Sequence, residues 1–255
     1  MAQQPAVSKG ASALPLFYAK PSALRPQLHG GLSLSRRVDY RFARGANAIP
    51  LIISELALAQ RDYPIVFTDD TVPMPVAVVG LQDAVNLMVE SDGSWRKGVF
   101  VPAYARRYPF VFAEQRETGA LTLCIDEASG LIEDGGDNPL FRDGEPSEVT
   151  RKALEFCAAY QRDYEATREF CHVLAQVELL VPRDARLVMP SGEPLVVKGF
   201  RAIDEERFNQ LPEQTFLDWR AKGWIALIYA HLLSRASWEK LVHATTERHA
   251  QTGGP

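Results

Sequence analysis

The chain has 255 residues, 46% of them hydrophobic and 24% charged, with a formal net charge of −4 at pH 7, an ordinary make-up for a soluble globular protein with a sizeable core. The charge is uneven: residues 1–60 carry seven Lys/Arg against two Asp/Glu, and residues 61–150 carry seven against sixteen. That asymmetry suits faces that attract each other or are simply solvated, and no stretch is basic enough to imply nucleic-acid binding.

Residues 1–14, rich in Ala, Ser, Gln and Pro, read as disordered; with one lysine and no apolar run they do not form a secretory signal. LPLFYAKPSALRPQLHGGLSL alternates short apolar pieces with prolines and is expected to be extended chain and turns, an edge strand or a wrap over a sheet. Around Pro50 the sequence reads as a strand followed by a short helix, IISELALAQ. From Tyr63 to Glu127 comes a series of short strands, YPIVF, PVAVVGL, NLMVESDGSW, GVFVPAY, RRYPFVFAE and LTLCIDE, expected to form the core that the rest covers. Asp92-Gly93 marks a hairpin within it, because Asp-Gly suits a tight turn that needs a positive φ. ASGLIEDGGDNPLFRDGEPSE, acidic and glycine-rich, is read as the loop that ends the sheet layer.

Val149 to Leu180 carries the clearest helical pattern. Ala153, Cys157, Tyr160, Tyr164, Thr167, Cys171 and Leu174 recur at alternating four- and three-residue steps, which keeps them on one face, and Pro182 is expected to stop the helix. ARLVMP and EPLVVKGFRAID form a second hairpin about Ser191-Gly192, expected to add to the sheet. The end is helical: Asp204 caps EERFNQL, Pro212 opens PEQTFLDWRAK, Gly223 ends it, and WIALIYAHLLSR and SWEKLVHAT follow, with residues 244–255 read as a tail. The longest apolar run, WIALIYAHLL, is about half of what a spanning helix needs, so a soluble cytoplasmic protein without a membrane-spanning segment is expected. The expected fold class is α+β, a largely antiparallel sheet with a long central helix packed across it and a helical C-terminal group, forming one domain over residues 15–243.

Chemistry is sparse. There is no G-x-G-x-x-G, Walker, G-x-S-x-G or H-E-x-x-H motif, and nothing implies a cofactor. The five histidines (His29, His172, His231, His243 and His249) fall at no metal-ligand spacing, and no metal site is expected. Cys124, Cys157 and Cys171, with no C-x-x-C pair, fit reduced buried thiols better than a disulfide framework. As a nucleophile Cys124 would need a base such as His231 nearby in space, and with Asp126 these make a catalytic candidate set; a small apolar residue inside a sheet explains Cys124 more simply. Asp126, Glu127, Glu133, Asp134 and Asp137 cluster in sequence but lack calcium-loop spacing and suit a solvated turn. The ligand-binding candidates are Trp95, Arg96, Tyr104, Arg106, Arg107 and Tyr108, whose rings and guanidinium groups suit a peptide, carboxylate or phosphate. The competing reading packs Trp95 and Tyr108 inside and pairs the arginines with the acidic middle of the chain.

FARGANAIPLIISE, DYPIVF, PVAVVGL followed by NLMV, SDGSWRKGVFVPAYARRYPFVFAE, LTLCIDE, GFRAIDEERFNQLP and WIALIYAHLLS, in that order and spacing, resemble the bacterial SapC family over about residues 15–243. The resemblance implies an association with a paracrystalline surface layer, and genes placed near TonB-dependent receptors, flavin-dependent halogenases and cupin-like oxygenases in Gram-negative bacteria. It is distinct from the membrane-embedded peptide-transport permease of the same name, and it carries over no catalytic residues. The leading expectation is an accessory protein that binds a protein or peptide partner through WRKGVFVPAYARRYPF. The alternatives are an enzyme modifying a peptide or glycan with a site assembled from separated residues, and a structural surface-layer subunit.

Overall fold

The computed structural model describes residues 14–114 and 119–252, with side chains as far as residue 250. Apart from Leu14, the segment read as disordered lies outside the described residues. The proline-punctuated entry gives β1 (Pro21–Ala23) and β2 (Leu32–Leu34), extended as its sequence implies, but between them Pro26, at the first helical position, opens one helical turn, α1 (Pro26–His29), where the sequence reads as extended chain and turns rather than helix. The strand and short helix about Pro50 are β3 (Ala48–Pro50) and α2 (Leu56–Ala59). Then come β4 (Ile65–Thr68), β5 (Pro75–Val78), α3 (Ala103–Arg106), β6 (Phe110–Glu114) and β7 (Leu121–Asp126). Three short strands, β8 (Ile132–Asp134), β9 (Phe141–Arg142) and β10 (Glu145–Pro146), precede the long helix α4 (Glu148–Gln176). The hairpin β11 (Leu180–Val188) and β12 (Pro194–Ile203) leads to α5 (Glu205–Asn209), α6 (Glu213–Ala221), α7 (Trp224–Ser234) and α8 (Trp238–Thr252).

The fold is α+β, and all its strand pairs are antiparallel among the described residues. The strand series is divided between two sheets rather than lying in one. β4 and β5 sit in a five-stranded sheet of order β11-β12-β4-β5-β3, while β6 and β7 join β1 in a three-stranded sheet of order β1-β7-β6. The reason lies between them, where GVFVPAY forms no strand. The Asp62 carboxylate accepts the Phe100 N–H (2.9 Å) and the Glu55 carboxylate accepts the Ala103 N–H (2.5 Å). Side chains thus take the backbone donors that a neighbouring strand would need, and α3 starts directly after Pro102. The Asp92-Gly93 turn forms, with Gly93 at φ 92°, but its ladder stops at one bridge between Val89 and Trp95; beyond it the Leu87 N–H donates to the Val79 carbonyl (2.9 Å) and the Met88 N–H to the Asn86 side chain (2.9 Å). The acidic segment is more ordered than a loop: β8 pairs with β2, and β9 with β10.

Ser147 opens α4, its hydroxyl accepting the Thr150 N–H at 3.4 Å. Pro182 does not end the helix. It ends at Gln176, after which Glu178 takes a left-handed φ of 55° and the Leu179 N–H closes on the Leu174 carbonyl (3.0 Å). Pro182 lies inside β11, an edge strand, where a missing N–H is tolerated. Along α4, Cys157 packs with Phe110, Ile125 and Leu140, Tyr160 joins the large core of Ile49, Tyr63 and Ile65, and Phe170, Cys171 and Leu174 pack with Phe67, Trp219 and Ile228. Each large side chain so buried contributes about 1.5–3 kcal/mol. Asp204 caps α5 by accepting the Arg207 N–H (3.1 Å), and Gly223 breaks α6 from α7 at φ 75°. Helix α8 continues to Thr252, through most of the residues read as a tail. Among the described residues no helix is long and apolar enough to cross a membrane.

Candidate functional site

All six ligand-binding candidates face inward or are tied to their own chain. The Trp95 indole N–H donates to the Tyr63 hydroxyl (3.1 Å), which in turn donates to the Phe100 carbonyl. Tyr104 is buried and donates to the Leu16 carbonyl (3.2 Å). The Arg107 guanidinium lies between the rings of Tyr104 and Tyr160, 4.2 and 4.3 Å from their centroids, with Tyr18 at 5.9 Å. Such cation–π contacts are worth up to about 2 kcal/mol each when desolvated, and here they stand where an ion pair would otherwise be needed. Burial pushes the Tyr18, Tyr104 and Tyr160 hydroxyls up, so the cage stays neutral around its cation. Arg96 turns the other way and pairs with Glu247 on α8.

Arg106 and Tyr108, the latter buried with its hydroxyl donated to Asp126, also line a groove of about 210 Å³ between α3 and the segment that follows β2. Phe42 stacks on Tyr108 with centroids 4.0 Å apart, and Tyr40 continues the aromatic row at 5.9 Å from Phe42. Arg36 and Arg37 supply two further guanidinium groups. The Arg106 Nε–H donates to the Val101 carbonyl (3.0 Å) while its Nη2 stands 3.6 Å from Glu55. Glu55 is buried, and desolvation pushes its carboxyl above the usual range although the Ala103 and Ile52 N–H groups and Arg106 oppose this. Arg36 meets Asp137 at 3.4 Å, both largely exposed, and Arg37 meets Asp39 at 3.3 Å. The sequence reading missed Arg36, Arg37 and Tyr40. Their signal was RRVDYRF, which repeats the adjacent arginines and nearby tyrosine of RRYPF. The arrangement suits a carboxylate held by planar guanidinium groups, with an apolar or aromatic group laid on the rings.

The catalytic candidates are not brought together. Cys124 is buried on β7 against Tyr18, Tyr108 and Val111, and burial pushes its thiol up, away from a reactive thiolate. Asp126, two residues on, is fully buried and accepts the N–H groups of Ala19 (3.0 Å), Lys20 (2.7 Å) and Ala128 (3.2 Å) and the Tyr108 hydroxyl (2.9 Å). Burial works against the charge, yet these donors hold its carboxyl below the usual range. His231 lies on α7 beside the other sheet, its Nε2 accepting the Ile203 N–H (3.1 Å) and its ring against Phe67; burial pushes its pKa down to about 4. It also lines a cavity of about 370 Å³ with Phe200 and Trp238, rimmed by the pairs Arg183–Asp204 (2.9 Å) and Arg235–Glu205 (2.7 Å). The acidic run is dispersed: Glu127 pairs with Lys20 (2.6 Å), Asp137 with Arg36, and Glu133 and Asp134 lie in β8. Among the described residues no three His, Cys, Asp or Glu are placed to hold a metal ion.

The family model for SapC matches residues 24–241. The chain belongs to the SapC family. No curated protein and no solved structure matches it. The SapC match spans every residue of the groove, from Leu34 through Tyr108 to Leu131, and also Cys124, Asp126 and His231. Tyr18, which donates to the Phe110 carbonyl (2.5 Å), precedes the SapC match, and Glu247, the partner of Arg96, follows it.

Proposed function

We propose that this SapC-family protein is an accessory protein that binds a segment of a protein or peptide partner in the groove beside Arg106 and Tyr108. The setting is the surface-layer or TonB-dependent uptake systems with which the family resemblance associates it. The observation that carries this reading is that three arginines, Arg36, Arg37 and Arg106, line one groove with the stacked rings of Phe42 and Tyr108. At about 210 Å³ the groove is smaller than the ~300–1,000 Å³ usual for a cofactor or metabolite, and it suits one or two side chains of a longer chain. The favoured segment has an acidic residue, or a C-terminal carboxylate, next to an aromatic or apolar one. Exposed pairs such as Arg36–Asp137 contribute only about 0–1 kcal/mol, so a partner's carboxylate displaces them at little cost.

The test is capture from cells of the native host, comparing the wild-type protein with the Arg36→Ala, Arg37→Ala, Arg106→Ala triple variant. The wild type is expected to recover one partner repeatedly, and the variant to recover it at least about tenfold less while still unfolding cooperatively. Equal capture by a folded triple variant would overturn the reading. Arg107 is left intact because its loss would open the tyrosine cage.

The cavity beside His231 supports a second reading, an enzyme acting on a peptide or glycan. There the His231 Nε2 is already engaged by the Ile203 N–H, so proton transfer would fall to Asp184 or Glu206 at the rim. A screen with peptide and glycan substrates in which the Asp184→Asn, Glu206→Gln variant matched the wild type would remove this reading.

A further inference from the structure

In the five-stranded sheet the ladder between β4 and β12 is cut short. Phe200 pairs with Thr68 and Arg201 with Phe67, and the same register would next pair Ala202 with Val66 and Ile203 with Ile65. Instead, the two N–H groups which that last pair would exchange go to side chains one turn apart on α7. The Ile65 N–H donates to the Ser234 hydroxyl (2.9 Å) and the Ile203 N–H to the His231 Nε2 (3.1 Å). The Ser234 hydroxyl donates its own proton to the His231 carbonyl (2.6 Å), which fixes it on the helix. His231 and Ser234 thus hold two interior strands of the sheet apart. The cavity of about 370 Å³ lies at the parting, lined by Ile65 and Val66 of one strand and Ala202 and Ile203 of the other.

The polar group that the helix brings to this cavity is a donor. Nε2 accepts an N–H and burial keeps the ring neutral near pH 7, so the imidazole proton sits on Nδ1. His231 is 1% exposed, yet among the described residues Nδ1 has no hydrogen-bond partner; the Ile65 carbonyl favours the charged ring without closing a bond to it. A buried donor left unanswered is destabilising, and a few polar groups converging on an apolar bed are the usual form of a small-molecule site. Phe200 and Trp238, their ring centroids 6.1 Å apart, give that bed an aromatic side. At the mouth, Arg183 and Arg235 are paired with Asp204 and Glu205, whereas Asp184 and Glu206 pair with no cation among the described residues. Four carboxylates against two guanidinium groups leave the mouth negative, which favours a cation and disfavours an acid.

We propose that this cavity binds a small aromatic amine that also carries a carbonyl. The carbonyl accepts the His231 Nδ1–H, the ring lies against Phe200 and Trp238, and the ammonium group meets Asp184 and Glu206 at the mouth. Unlike the groove at Arg106, the cavity has a volume within the ~300–1,000 Å³ usual for such ligands. The site shares its cavity with the enzymatic reading but does not rest on it, because binding is measured without turnover. It is also independent of any partner at the groove.

The test is a titration of the full chain, labelled with nitrogen-15 at histidine, with para-aminomethylbenzamide, benzamide and para-carbamoylbenzoate. The three share one ring and one amide carbonyl, and at about pH 7.5 they differ in the charge at the far end. The amine is expected to bind with a dissociation constant of about 1 mM, at least about fivefold tighter than benzamide, with the acid weakest. It should also move the His231 Nδ1 resonance, identified by its loss in His231→Gln. Asp184→Asn together with Glu206→Gln, both at exposed positions, should keep the melting temperature, weaken the amine at least about fivefold and leave benzamide within about twofold of the wild type. No saturable binding of the amine up to about 10 mM overturns the proposal. So does an amine that binds no more tightly than the acid, a His231 resonance that stays in place at saturation, or a mouth variant that holds the amine as the wild type does.

Discussion

The Asp126 carboxylate has three backbone N–H donors and the Tyr108 hydroxyl around it, and among the described residues no cation pairs with it. Two of those donors belong to Ala19 and Lys20, so one side chain fastens the incoming chain to β7. Asp126→Asn turns an amide NH₂ toward groups that are themselves donors, and is expected to cost about 3 kcal/mol. Because the folded state holds this carboxyl below its ordinary value, the stabilisation is present above the unfolded pKa, near 4, and lost as pH falls through the folded value. Urea titrations at pH 7 and pH 3 should show a smaller difference between the two pH values in the variant than in the wild type. At this scale the sequence was only partly legible. Arg106 and Arg107 are neighbours of one type, but about 100° apart around α3, so one reaches the groove and the other enters the tyrosine cage. Composition pointed to the right stretch and could not separate the two.

Helix α7 is joined to β12 by the hydrogen bond from the Ile203 N–H to His231, and that joint is sensitive to pH. Burial depresses the His231 pKa to about 4, so between that value and the ordinary value near 6.5 the unfolded chain binds the proton and the folded chain does not. Stability is therefore full above about pH 6.5 and falls as pH drops toward 4, by up to about 3 kcal/mol. Denaturation midpoints at half-unit steps from pH 8 to pH 4 should trace that slope, and His231→Gln should flatten it from a lower starting stability. Elements with their own local chemistry were readable: the β11–β12 turn at Gly192, the Asp204 cap, the Gly223 break and the stripe of α4. Those decided by distant side chains were not. GVFVPAY has the residues of a strand, but Glu55 and Asp62, some forty positions earlier, take its donors. Pro182 looks like a helix stop until the edge position of β11 is known.

Over the whole molecule the three thiols report on separate places. Cys124 is in the three-stranded sheet, while Cys157 and Cys171 lie on α4 in different packing clusters. Burial pushes Cys157 up to about 11 and Cys171 up to about 12, so neither offers appreciable thiolate near neutral pH. In native buffer all three are expected to resist a thiol reagent. Since one helix carries both, Cys157 and Cys171 should label at the same rate when followed by mass spectrometry; a tenfold difference would mean that the ends of α4 open separately.

That helix also limits how the chain can change length. Its 29 residues present one face to three clusters in turn, and a single residue inserted after Gln161 would rotate everything beyond it by about 100° and advance it by about 1.5 Å. Thr167, Cys171 and Leu174 would leave their seats while Cys157 and Tyr160 kept theirs, and the insertion is expected to abolish cooperative thermal unfolding. The same insertion at the exposed tip of the β11–β12 hairpin, beside Ser191, should shift the melting temperature by no more than a few degrees. A chain built on these three clusters is thus expected to keep one helix length and to take its insertions and deletions in the turns.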